Sequence, residues 1–203
     1  MRELIAADVE RVMDDFTSMA CGIVNTGTGK EHSAQLLFLQ MSDDQPGEVA
    51  KVAALDPVLV MAMQENRIKK DAMTALVRHA LGGEGEASPI REGLRAQMGL
   101  RPDMAVFINE AWVAKTTPEA YRAGHRPAPS EQPDRSEALV VMVHVKEHTY
   151  TNILPITGKG KERHVESEPF KVAPSEKAAP LGGALTMQGW DDMPEGRRAK
   201  DNG

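Results

Sequence analysis

Two stretches of this 203-residue chain constrain its fold more than any other feature: residues 104–115 (MAVFINEAWVAK) and 136–156 (SEALVVMVHVKEHTYTNILPI). Read as extended strands, they are apolar on both sides. In the first, Phe107 and Val113 fall on one side, and Val106, Ile108, Glu110 and Trp112 on the other. In the second, Leu139, Val141, Val143 and Val145 alternate with Ala138, Val140, Met142 and His144. A strand that is apolar on both faces must be covered on both, which predicts a central position in a sheet. The polar residues 146–149 predict a turn, and residues 150–156 a returning hairpin strand.

Helical periodicity is concentrated before these strands. Ile5, Val9, Val12, Met13 and Phe16 recur on one face of a helix predicted over residues 3–20, with Asp8, Glu10, Asp14 and Asp15 mostly off that stripe and Gly22 as its stop. Residues 34–41 (AQLLFLQM) read as a short buried strand and residues 48–55 as another. Asp56-Pro57 is a helix start, a side-chain acceptor followed by a proline that needs no N–H partner. The helix it opens is predicted to run to Leu81, bent near Glu65 and Asn66, with Met73, Leu76, Val77, Ala80 and Leu81 facing inward. Ser88-Pro89 repeats the start signal for a short helix carrying Ile90, Leu94 and Met98, which Gly99 and Pro102 close. After the hairpin, residues 164–172 (HVESEPFKV) are predicted as an edge strand, where Pro169 is tolerable.

The fold class that follows is α+β: helices, mostly N-terminal, packed on one largely antiparallel sheet of four to six strands. Residues 1–172 are expected to form a single domain. Residues 173–203 lose the pattern and are expected to be an extended, mobile tail whose Trp190 is its one aromatic anchor. Proline at 118, 127, 129 and 133 excludes regular strand from residues 116–134, a loop length usually tied to function or disorder.

Charge and composition narrow the function. The formal net charge of −6 argues against general nucleic-acid binding, which needs clustered Lys and Arg. The one compact basic loop, GKGK at 158–161, is flanked by Glu162, Glu166 and Glu168 and reads as a solvated turn. A single cysteine, Cys21, permits no intrachain disulfide and fits a reducing compartment. No apolar run approaches the roughly 18 residues of a membrane span. A cytoplasmic protein is the expectation.

Catalytic and metal motifs fail on spacing. TGTGK at 26–30 lacks the first glycine of a phosphate loop, whose place is taken by Val24, and has Glu31 where Ser or Thr is required. No serine sits in a nucleophile elbow. His144 and His148 on one continuous strand stand about 13 Å apart, too far to share an ion, and with no HExxH or CxxC no metal or cofactor is expected. Glu110 is the exception worth pursuing. Between Ile108 and Trp112 on one strand face, its carboxylate must be paired, protonated or open to a cavity. Arg135 is the expected ion partner, and Asp134, Arg135 and Glu137 are expected to cluster with it if the two strong strands are neighbours. In a competing reading Glu110 is the acid/base of a small hydrolase, with Arg135 or His144 as substrate contacts; that reading requires Glu110 and His144 in one cleft.

EAW at 110–112, followed by PSEQPDRSEALVV at 129–141, resembles a signature of uncharacterised bacterial and phage-encoded proteins: a strand ending in EAW, a PSxxPDRxEA loop and a hairpin, after a helix-rich N-terminal half. The resemblance covers about residues 104–157. It departs at the hairpin turn, where residues 146–149 stand in place of Asp-Gly. It implies a common α+β fold and an origin in a bacterium or its mobile elements, and it brings no activity. The function expected is therefore a non-enzymatic accessory protein acting through a protein partner or self-association, with Trp112, Arg135, Glu137 and Trp190 as candidate contact residues and Glu110 and His144 as the catalytic candidates of the hydrolase alternative.

Overall fold

The structure, a computed structural model, describes residues 4, 6–28, 33–63, 67–82, 88–113, 135–145, 148–172 and 179–180, with the side chains of 67–71 and 179–180 left aside. Helix α1 (Ala6–Val24) precedes strands β1 (Gln35–Met41) and β2 (Val49–Ala54). Helices α2 (Pro57–Met63), α3 (Arg67–Leu81) and α4 (Pro89–Met98) follow, then β3 (Met104–Val113), β4 (Ser136–Val145), β5 (His148–Pro155) and the two-residue β6 (Ala179–Pro180). The strands form one sheet in the order β2-β1-β3-β4-β5-β6, antiparallel at every pairing. The predicted α+β class and antiparallel sheet are thus present, and the two strands apolar on both faces are its centre.

Each face of the sheet has its own core. On one, Val9, Val12, Met13, Ala20, Cys21 and Val24 of α1 pack over Leu37, Leu39, Val106, Ile108, Leu139, Val141 and Val143. On the other, Val60 of α2 and Met73, Val77, Ala80 and Leu81 of α3 cover Leu36, Phe38, Ala105 and Phe107, with Leu100 from the turn after α4. Residue parity along β3 assigns the faces: even positions 104–112 look toward α1 and odd positions toward α2–α4. Cys21 is a buried member of the α1 core, and burial pushes its thiol above the ordinary range.

Several local expectations need correction. The first helix continues past Gly22 to Val24, because Ala20, Cys21 and Val24 still bury an apolar stripe. Asp8 belongs to the buried side: its Oδ1 accepts the backbone N–H of Gly47 at 2.7 Å. The stretch opened by Asp56 is helical over Pro57–Met63 and Arg67–Leu81, on either side of the expected bend, whose residues 64–66 lie outside the described set; Asp56 Oδ1 caps its start by accepting the N–H of Val58 at 2.7 Å. The hairpin is tighter than predicted, since Val145 pairs with His148 and His144 with Thr149. Residues 148–149 are therefore strand, and only residues 146–147 lie between the paired strands.

Residues 164–172 do not form the expected edge strand. Apart from the bridge between Thr157 and His164, their backbone is held by side chains of α1 and its C-terminal turn. Asn25 exchanges two hydrogen bonds with the main chain of Val165. Asp14 accepts the N–H of Phe170 and Glu10 that of Val172. These bonds satisfy the main chain without a strand neighbour. The Val172 N–H, with the Lys171 ammonium, holds the Glu10 carboxyl below its usual range. The proline-bearing loop and most of the tail, including Trp190, lie outside the described residues; Ala179 and Pro180 pair with Thr149 and His148.

Candidate functional site

The β3–β4 register sets Trp112 opposite Glu137 and Glu110 opposite Leu139. Glu110 and Glu137 are therefore diagonal neighbours on the α1 face, close enough for two carboxylates to repel. A cation between them offsets that repulsion, and it is Arg163. Its Nη2 donates to Oε2 of Glu110 and, at 3.0 Å, to Oε1 of Glu137. The side chains of Arg163 and Glu110 are each 6% exposed and that of Glu137 25%. Arginine suits the place because its fork of N–H donors can serve two carboxylates while staying charged in a buried setting.

The chain delivers Arg163 by a short loop. The Ile156 N–H donates to the Glu137 carbonyl, extending the β5 ladder by one residue. Thr157 and His164 then exchange both backbone hydrogen bonds, at 2.9 Å each, closing residues 158–163 into a turn with a 3-10 segment at Gly160–Glu162. Gly158 has φ +75°, and a Cβ there would stand 2.1 Å from the Glu162 carbonyl oxygen. Only glycine fits, and the tight loop returns Arg163 to the end of the sheet. The GKGK stretch is exposed, as a solvated turn should be.

Arg135, the expected partner of Glu110, is placed elsewhere. Its guanidinium carbon lies 5.0 Å from the centroid of the Trp112 ring, a cation–π contact at the margin of the cluster. Trp112 is 46% exposed. The structure thus places Glu110, Trp112, Arg135 and Glu137 at one end of β3 and β4 and adds Arg163, which sequence reasoning missed. Asp134 and Trp190 lie outside the described residues.

His144 is not part of this group. It projects to the opposite face, fully buried beside Ala105, with Nδ1 2.8 Å from Thr149 Oγ1. Its Nε2 is buried with no hydrogen-bond partner. Burial alone lowers its pKa to about 3, so the ring is neutral and Thr149 donates to or accepts from it according to tautomer. Glu110 and His144 therefore share no cleft. His148 pairs with Val145, which puts it on the α1 side, away from His144. Among the described residues, no three His, Cys, Asp or Glu side chains gather as metal ligands, and no described helix is long and apolar enough to cross a membrane.

A groove of about 520 Å³ lies beside the cluster, along the outer edge of β5. Its lining combines Asn152, Ile153 and Leu154 from the strand with His164, Glu166 and Glu168 from the stapled segment. Comparison with protein-family models, curated proteins and solved structures finds no match to this chain.

Proposed function

We propose that this chain is a non-enzymatic accessory protein that works through protein–protein contacts. The observation that carries the reading is the outer side of α2. Its seven residues, PVLVMAM, include no charge. Val58 is 76% exposed, Met61 57% and Leu59 47%. Large apolar side chains grouped on the outer side of one helix mark interaction surfaces in soluble proteins. The buried ion cluster adds support from the other direction: Glu110 is occupied by Arg163, and the second catalytic candidate is on the far face. The resemblance of residues 104–157 to bacterial and phage-encoded proteins supplies the setting, the cytoplasm of a bacterium or of a phage's host. The acidic net charge favours a protein partner, or a second copy, over nucleic acid.

The test places a photo-crosslinking residue at position 58 of the full chain, with a control at exposed Arg78 on α3. The reading expects a discrete adduct, to itself or to a partner, that forms from position 58 alone and that Met61→Asp removes without altering the melting temperature. Equal, diffuse labelling from both positions would overturn it.

A further inference from the structure

Residues 165–172 run along α1 in the opposite direction, and their contacts keep an even spacing. Val165 meets Asn25, Phe170 meets Asp14 and Val172 meets Glu10. The positions from Asp14 to Asn25 rise about 16.5 Å as a helix, and those from Val165 to Phe170 span about 16.5 Å when extended. From Glu10 to Asp14 the rise is about 6 Å, against about 6.6 Å from Phe170 to Val172. This is the match of an extended chain laid straight along a helix. Positions i and i+4 share a helix face, and alternate N–H groups of an extended chain point one way. Glu10 and Asp14 therefore stand where the carbonyls of a neighbouring strand would, and accept the N–H of Val172 at 3.0 Å and of Phe170 at 2.7 Å. Lys171, between those two, gives its ammonium to the second oxygen of Glu10 at 3.1 Å.

The hold is uneven along the segment. Val165 is buried in the α1 core and bonded twice to Asn25. Residues 166–169 are exposed, and Phe170 and Val172 are only partly buried against that core. The Lys171 side chain is 74% exposed, so its ion pair contributes little. Among the described contacts, the carboxylates of Glu10 and Asp14 are the polar ties of the 170–172 run. A segment with few buried side chains, whose main chain is held by side chains, belongs to the parts of a fold that open before the whole does.

We infer that residues 166–172 are a releasable strap, held on α1 by Glu10 and Asp14, and that the face it leaves is a contact site for a partner's extended segment of aromatic, lysine, aliphatic sequence. The strap itself describes that segment: two N–H groups two residues apart for the carboxylates, a lysine between them for Glu10, and flanking apolar side chains for the α1 core. The inference rests on the reading of a protein that acts by contact. It adds a site on the sheet face opposite α2, so the strap and position 58 fail on separate experiments.

Amide exchange on the full chain reads the release. Phe170 and Val172 are expected to exchange about a hundredfold faster than Val141 and Val143 of the central strand β4, and Glu10→Ala with Asp14→Ala to speed them about tenfold more while leaving β4 unchanged. The probe for the vacated face is a fluorescein-labelled Ser-Glu-Pro-Phe-Lys-Val peptide followed by anisotropy. In the parent the tethered strap competes at an effective concentration of about millimolar, so the peptide should bind about tenfold more tightly to a chain whose strap lacks both donors, Phe170→Pro with Val172→Pro. Lys171→Glu, which sets a carboxylate against Glu10 without touching the main chain, should act the same way and serves where the proline chain loses protection in β4. Adding Glu10→Ala and Asp14→Ala to either chain, or methylating the Phe and Val nitrogens of the peptide, should abolish binding. Exchange at Phe170 and Val172 as slow as in β4, or rates there that the Glu10 and Asp14 changes leave untouched, would overturn the inference. So would the absence of saturable binding, equal affinity for parent and released chains, or binding of the methylated peptide.

Discussion

On the α1 face of β3 and β4, two carboxylates close on one guanidinium; on the opposite face of the same ladder, a single imidazole meets a threonine hydroxyl. Both groups are buried, yet they are held in different charge states. The Glu110–Arg163–Glu137 group gathers charge and neutralises most of it locally. His144 has no ion within its bonding set and stays neutral because charging it would cost desolvation. A buried charge is tolerable where a counter-charge can be delivered to it, and among the described residues β3 and β4 receive one at the end of the sheet, where the 158–163 loop reaches.

The contrast breaks most sharply at Arg163. Arg163→Met should remove the described counter-ion of the buried Glu110 and cost about 3–5 kcal/mol in denaturant unfolding. Combining it with Glu110→Leu should restore much of the loss, because a pair of apolar residues no longer strands a charge. Equal stability of the single variant and the parent would show that the cluster is solvated rather than structural.

Acid sharpens the comparison on the other face. The folded His144 titrates at about 3 and an unfolded histidine near 6.5. Below 6.5 the unfolded chain takes up a proton that the folded chain refuses. The contribution is therefore complete above that pH and is lost progressively as the pH falls toward 3, on the order of 4 kcal/mol across the window. His144→Gln should flatten the pH dependence of stability between 6.5 and 3 relative to the parent. Parallel curves for the two proteins would contradict a neutral buried imidazole.

The smallest effect is expected at the rim. Arg135→Ala removes the cation over Trp112, a half-exposed contact worth about 0.5–1 kcal/mol in urea unfolding. A loss as large as that of Arg163→Met would mean that the rim and the buried cluster act as one unit.

Much of the architecture is legible in the chain because it rests on local pattern. Apolar residues on both faces mark β3 and β4 as central strands, Asp56-Pro57 and Ser88-Pro89 open helices at the expected positions, and the stripe of Met73, Val77, Ala80 and Leu81 names the buried side of α3. The site was half legible. An acidic residue between Ile108 and Trp112 must be paired, protonated or open to a cavity, and two arginines, 135 and 163, stand within reach of the β4–β5 hairpin in sequence. Proximity along the chain favours Arg135. The choice of Arg163 depends on a left-handed Gly158 and on the Thr157–His164 bridge, neither of which has a periodic signature. The His144–Thr149 contact was hidden by reading polar residues 146–149 as turn, when a tighter hairpin puts Thr149 inside. The stapled segment was misread for a related reason: alternation in HVESEPFKV looks like a strand, but its main chain is held by side chains of a helix and its C-terminal turn about 140 to 160 residues earlier.

The sequence by itself determined that this chain folds as helices on an antiparallel sheet, which strands are central, and that Glu110 must be paired, protonated or open to a cavity. Those conclusions follow from side-chain period and from the cost of burying charge, both properties of short windows. Only the tertiary structure decided which cation reaches Glu110, which face takes His144, and that residues 164–172 are held by side chains of α1 and its C-terminal turn rather than as a strand. These depend on where distant segments meet, and the meeting is set by loop geometry and packing across the whole sheet rather than by any stretch of chain alone.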